Sequence, residues 1–234
     1  MQLLVSPRDI EEAKRSLAAD IIDVKNPSEG SLGANFPWVI RSIKGLSRKP
    51  VSAAIGDFDF KPGGAALAAY GAACAGADYV KVGLMFDGIS RAEEFIRAVV
   101  RAVKEEFPER KVVIAGYSDY SRLGSLSPFD MATIAAREGA DVAMVDTGIK
   151  DQKSTFRFMS EQELRDFCEM NRRAGLQTAI AGSLSFDDLP AIKRINPDIL
   201  GVRDGLRWRP GFGYQGRPRG EAGPDGALNH VYRK

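Results

Sequence analysis

The chain has 234 residues and a mass of 25.4 kDa, enough for one large α/β domain with a substantial core. Its 33 Lys+Arg nearly balance 31 Asp+Glu, and a formal charge of +2 gives no reason to expect nucleic acid as a partner. Cys74 and Cys168 lie far apart and His230 is the single histidine, which argues against a disulfide scaffold or a metal site.

The first apolar run, LLVS (3–6), reads as a strand. Ser6, followed by Pro7 and by Asp9 three residues on, reads as a helix cap with proline at the first helical position. Arg8, Asp9, Glu11 and Glu12 arrive too early for a secretory leader, so a cytoplasmic chain is expected. DIIDVK (20–25) and VSAAIGD (51–57) are the second and third strands, and Trp38, behind Phe36 and Pro37, is expected to anchor the helix between them. The Ala/Gly-rich run 63–77 is too short and too small-residued to cross a bilayer, so no membrane contact is expected. DYVKVG (78–83), VVIAGY (112–117), DVAMVD (141–146), TAIAGS (178–183) and DILGVR (198–203) follow as strands. Between them, further Ser-x-x-acid pairs mark helix starts at Ser90 and Glu93, Ser127 and Asp130, Ser160 and Glu163, and Ser185 and Asp188.

Eight strands alternating with helices predict a closed (β/α)8 TIM barrel over residues 1–203. A doubly wound open sheet is the alternative, but neither its G-x-G-x-x-G fingerprint nor a P-loop follows any strand. After Arg203 the pattern fails. Residues 204–234 are basic and rich in Gly, Arg and Pro, with no amphipathic period, and predict an irregular tail where the last helix is missing or replaced. A lid over phosphates, an anion-binding arm and an out-of-frame ending are the three readings of that tail. A homo-oligomer is open.

Four strands share one form: an Asp, an apolar strand and inward charge. They begin at Asp20, Asp78, Asp141 and Asp198 and are the even strands of the barrel. Those four aspartates lie at strand beginnings, the stability face, and read as structural. With side chains alternating at period two, Asp23, Lys25, Lys81, Asp146 and Arg203 converge inside the barrel, with Lys150 on the loop after Asp146. A lone Asp and Lys two residues apart is as readily a buried ion pair as a catalytic pair. Four even strands all carrying charge are harder to explain as stability alone.

A lysine amine must lose its proton before it attacks a carbonyl, and its free pKa of about 10.4 is too high at neutral pH. Burial and neighbouring cations lower it, and Lys81 with Arg203 are expected to supply the like charge for Lys25. Asp23 and Asp146 are then placed to move protons, the set that Schiff-base chemistry needs. AGSLS, with Gly182 and Ser183, and GVRDG, with Gly201 and Arg203, follow strands seven and eight, the usual phosphate site of such barrels. Asp57 ends strand three and Ser118 with Asp119 follows strand five, where they touch substrate or start loops.

IIDVKNPSEGSLGANFPWVI, VSAAIGD, GADYVKVGL, AGYSD, DVAMVDTGIKD and AGSLS, in that order, resemble the (5-formylfuran-3-yl)methyl phosphate synthase family of methanofuran biosynthesis. The resemblance implies a lyase related to class I aldolases, which condenses two molecules of glyceraldehyde 3-phosphate with loss of phosphate and water. It implies a Schiff base on Lys25, active-site roles for Asp23, Lys81, Asp146 and Lys150, and no metal or organic cofactor. A barrel that binds sugar phosphates or polyanions without turnover, or another class I aldolase, is the alternative. The family's usual glycine-rich phosphate loop and last helix are absent from the text after Arg203.

Overall fold

Every one of the eight apolar runs forms a strand, and the strands close in chain order into one parallel barrel. They are β1 (Gln2–Ser6), β2 (Ile21–Val24), β3 (Val51–Phe58), β4 (Tyr79–Leu84), β5 (Lys111–Tyr117), β6 (Val142–Asp146), β7 (Gln177–Ile180) and β8 (Ile199–Arg203). The structure is a computed structural model and describes residues 1–46 and 48–203. The tail expected over 204–234, the question of the last helix, and His230 lie outside the described residues.

Parallel neighbours need a crossover, and the helices supply it. They are α1 (Ile10–Arg15), α2 (Pro37–Leu46), α3 (Pro62–Cys74), α4 (Ile89–Lys104), the one-turn α5 (Tyr120–Leu123), α6 (Pro128–Arg137), α7 (Glu161–Arg173) and α8 (Leu189–Ile195). Closure runs along the whole of β1, which pairs with β8 from Gln2 opposite Ile199 to Ser6 opposite Arg203. Strands covered on both faces are apolar on both, which explains their continuous hydrophobic text. Outward residues such as Val80, Val82 and Ile114 pack under the helices, while Leu4, Ile21, Tyr79, Val142 and Ile199 fill the barrel. In α4 the period of 3.6 is plain: Phe95, Ile96, Val99, Val100 and Val103 are buried on one stripe. Each such side chain contributes roughly 1.5–3 kcal/mol by leaving water.

Ser127 and Ser160 cap α6 and α7 as the sequence predicts, their hydroxyls accepting the amide N–H of Asp130 and Glu163. At Ser185 the amide donates to Asp188 at 2.7 Å before a short 3-10 turn. Two expected caps are corrected. α1 is capped by Asp9, whose carboxylate accepts the Glu12 N–H at 2.9 Å, because Ser6 is still the last residue of β1. α4 begins at Ile89 behind Gly88, so Ser90 already lies inside the helix. Trp38 does not anchor α2: it is 59% exposed and stacks on the exposed ring of Phe36, centroids 4.5 Å apart. The buried stripe of that helix is Ile40 and Ile43, and Trp38, two residues from Ile40, points to the opposite side.

The barrel floor carries a repeated stitch. Asp20 accepts the Leu3 N–H at 3.0 Å, Asp78 that of Val51 at 2.8 Å, Asp141 that of Val112 at 2.7 Å and Asp198 that of Thr178 at 2.8 Å. Each aspartate precedes an even strand and satisfies an amide at the start of the odd strand before it. Among the described residues no helix is long and apolar enough to cross a membrane.

Candidate active site

Period two continues from the floor to the mouth. Above Ile21, Tyr79, Val142 and Ile199 come Asp23, Lys81, Met144 and Gly201, and then Lys25, Gly83, Asp146 and Arg203. The even strands therefore carry the expected charges into the carboxyl-terminal half of the barrel.

Lys81, 1% exposed, donates to Asp23 Oδ2 at 2.6 Å, and the Ser6 hydroxyl donates to the same oxygen at 2.8 Å. Lys150 donates to Asp146 Oδ1 at 2.8 Å and to the Thr147 carbonyl at 2.6 Å. Each carboxylate keeps one buried oxygen that has no partner among the described residues, Asp23 Oδ1 and Asp146 Oδ2. Lys25 is 9% exposed, and among the described residues no hydrogen bond or ion pair holds its amine. Two carboxylates each engage a cation and hold an oxygen in reserve, with the Lys25 amine beside them.

The electrostatics follow from this packing. Burial pulls the Lys25 ammonium below its ordinary pKa; Asp146 and Asp23 oppose the shift, while Lys81 and Lys150 reinforce it. Besides Lys81, the cation acting on Lys25 is Lys150, which donates to Asp146 beside it, where the sequence suggested Arg203. Burial pushes the Asp23 carboxyl up, but Lys81 and Lys25 outweigh it and hold the group below the usual range. Burial acts likewise on Asp146, and Lys150 with Lys25 brings it down. Both carboxyls thus favour the folded state above their ordinary pKa of 3.8, and that contribution is lost as pH falls through the lower folded values. The urea midpoint is accordingly expected to fall as pH is lowered below about 4, and the D23N variant to lose part of that slope.

A cavity of about 200 Å³ opens above the cluster. Lys25, Lys81, Asp146 and Lys150 line one part of it, and the sequence-predicted Gly182, Ser183, Gly201 and Arg203 line another. The loop after β7 makes a tight turn there, with Gly182 at φ +100° and Ser183 at φ +50°. A Cβ on Gly182 would collide with Thr155 Oγ1 and lie 2.8 Å from the Thr147 amide, so glycine is required.

Asp57 and Asp119 are absent from the cavity lining and hold loops instead. Asp57 accepts the Leu32 N–H at 3.0 Å and the Tyr117 hydroxyl. Asp119, fully buried, accepts from Gly148 N at 2.7 Å and Ile149 N at 3.1 Å, fixing the loop that carries Lys150. Ser118 is buried beside Thr155, their hydroxyls 3.5 Å apart. Ser6, Tyr117, Thr147 and Thr155 were not predicted. Strand alternation from Leu4 would have pointed Ser6 inward, whereas Thr155 reaches the Ala181 carbonyl at 2.6 Å across a sequence gap that no local pattern records.

A closed (β/α)8 barrel with a buried lysine and carboxylate cluster beneath a cavity at its carboxyl-terminal mouth defines a barrel enzyme. The family model of 4-HFC-P synthase matches residues 3–207, and the chain belongs to that family. Similar proteins include the (5-formylfuran-3-yl)methyl phosphate synthases of Methanosarcina barkeri, 58% identical, and Methanocaldococcus jannaschii, 50% identical. Each alignment spans 208 residues and 87% of this chain, covering 89% of the first relative and 88% of the second. Among solved structures, KGPDC from Streptococcus mutans has a TM-score of 0.61 at 15% identity, covering 86% of this chain and 87% of that one. Orotidine 5'-monophosphate decarboxylase from Methanocaldococcus jannaschii also has a TM-score of 0.61, at 19% identity, with 86% and 88% covered. At such identities these two share the fold alone.

Proposed function

We propose that the chain condenses two molecules of glyceraldehyde 3-phosphate into (5-formylfuran-3-yl)methyl phosphate, with release of phosphate and water, through an imine on Lys25. The observation that carries this reading is the buried Lys25 amine, unpaired among the described residues, in the cavity with Asp146, whose Oδ2 likewise has no partner among them. The names of the relatives supply the product.

Lys25 captures the aldehyde of one triose, and carbinolamine dehydration gives the imine. The carbon next to the imine is acidified, and Asp146, through its unpartnered oxygen, removes its proton so that phosphate is eliminated. The second triose, isomerised to its ketose, accepts the terminal carbon of the first at C2 in an aldol addition. Its C1 hydroxyl then closes onto C2 of the first triose, two waters leave to form the furan, and hydrolysis of the imine releases the aldehyde and frees Lys25. Lys81 keeps Asp23 ionised, and Lys150 balances charge at Asp146 or meets a phosphate. Gly182, Ser183, Gly201 and Arg203 form the phosphate rim. The scheme needs no metal or organic cofactor, and its partners are small molecules in the cytoplasm.

Mixing the protein with glyceraldehyde 3-phosphate and borohydride is expected to leave a mass adduct on the Lys25 peptide, and without borohydride a furan-aldehyde absorbance grows in. An unmodified peptide under turnover conditions refutes the imine. No chromophore, with salt-sensitive retention on an anionic resin, would instead identify a polyanion binder.

A further inference from the structure

Alternation along β3 puts Ser52 and Ala54 inward, which would leave Asp57 pointing out toward the helices. A register shift between Ala54 and Asp57, with Gly56 at φ +136°, reverses the parity and turns the carboxylate in. Room is made for it by Gly83, where a Cβ would collide with the Tyr117 hydroxyl and lie 2.8 Å from Asp57 Oδ1. A bulge and two glycines thus serve one carboxylate that does not line the cavity.

What Asp57 holds explains the arrangement. One oxygen accepts the buried Tyr117 hydroxyl and the other accepts the Leu32 N–H at 3.0 Å, under Gly30, where a Cβ would collide with it. Leu32 is fully buried among the barrel-filling residues, a plug pushed into the mouth from the loop that follows Lys25. Gly30 and Ser31 of the same loop line the cavity. The Ser31 hydroxyl donates at 2.8 Å to the Thr147 carbonyl, and that carbonyl also accepts from Lys150 at 2.6 Å.

We infer that Asp57 and Tyr117 are a positioning pair that sets the Gly30–Leu32 roof over Lys25 and, through Ser31 and the Thr147 carbonyl, the placement of Lys150. This rests on the reading of Lys25 as the imine-forming amine. Asp57 touches no reacting atom; it acts through the roof.

The test compares D57A, D57N and Y117F in borohydride trapping at saturating glyceraldehyde 3-phosphate, with kcat against pH and hydrogen exchange at the Leu32 amide. D57A should trap at least about tenfold more slowly than wild type per folded molecule, with faster exchange at Leu32, since a small misplacement near reacting groups costs that much. Asparagine still offers a carbonyl oxygen to Leu32, so D57N should stay within about threefold of wild type and keep the shape of the pH profile. Y117F, which removes one hydroxyl and is the gentler change should D57A fail to fold, should slow trapping several-fold and speed Leu32 exchange. Folded D57A or Y117F with wild-type trapping would overturn the inference. So would a D57N as impaired as D57A with one limb of its pH profile gone, because Asp57 would then act on the substrate itself. Absence of any adduct in the wild type would overturn the imine reading, and this inference with it.

Discussion

Replacing Lys25 by arginine is expected to lower kcat/KM for furan formation at least about a thousandfold, ~4 kcal/mol in the barrier, with the barrel still folded. Arginine keeps a positive charge facing Asp146 and Asp23, so the electrostatics that hold both carboxylates low are largely retained. Its guanidinium stays protonated at any working pH and forms no imine. The variant therefore separates covalent chemistry from charge. The same logic sets the pH dependence expected of the proposed imine route, in which the free amine attacks: burial lowers the Lys25 pKa below its ordinary 10.5. Trapping by borohydride should rise with pH along a limb that lies below that of a solvated lysine, and K25R should show no adduct at all. A K25R enzyme with activity near wild type would remove the imine from the mechanism.

Loss of the Asp23 carboxylate is expected to be the most damaging single change to stability. In D23A the Lys81 ammonium, 1% exposed, has no other carboxylate at hydrogen-bond distance among the described residues, and the Ser6 hydroxyl loses its Asp23 acceptor as well. Breaking a buried pair from one side costs about 3–5 kcal/mol, a large part of the stability of a domain of this size. Urea unfolding should show the midpoint falling accordingly. A double change, D23L with K81M, removes both charges and should recover most of the lost stability, because apolar packing replaces such pairs well. Catalysis should not return with it. If D23A unfolds at the wild-type midpoint, the pair adds nothing to the fold.

The barrel was legible because its signals are local and repeated. Continuous apolar runs bounded by caps mark strands buried on both faces, and the observed limits differ from the predicted ones by only a few residues, most at β7, which ends at Ile180. The convergence of Asp23, Lys25, Lys81 and Asp146 was legible for a similar reason: alternation in an unbroken strand leaves each side chain a single face. Where the reading went astray, a second pattern overlapped the first. Ser6-Pro7 with Asp9 has the text of a helix cap, yet the strand runs on through Ser6 and gives its hydroxyl to Asp23. Asp57 lies within β3, one residue before its end and just past the bulge, so its inward turn and its grip on Leu32 had no signal beyond Gly56. That Lys150 and not Arg203 joins Lys81 near Lys25 follows from the loop after β6, which sets the Lys150 amine on Asp146, a contact that strand alternation does not record.

The aspartate stitches at the floor have a bearing on the chemistry at the far end. An inward residue stays inward only while its strand keeps step with its neighbours, and slipping by one position would turn Lys81 and Asp146 toward the helices. Asp78 clamps β4 to Val51, and Asp141 clamps β6 to Val112, at the opposite end of the strands from the cavity. The aim of Lys81 and Asp146 is thus indexed by carboxylates at the far end of the barrel.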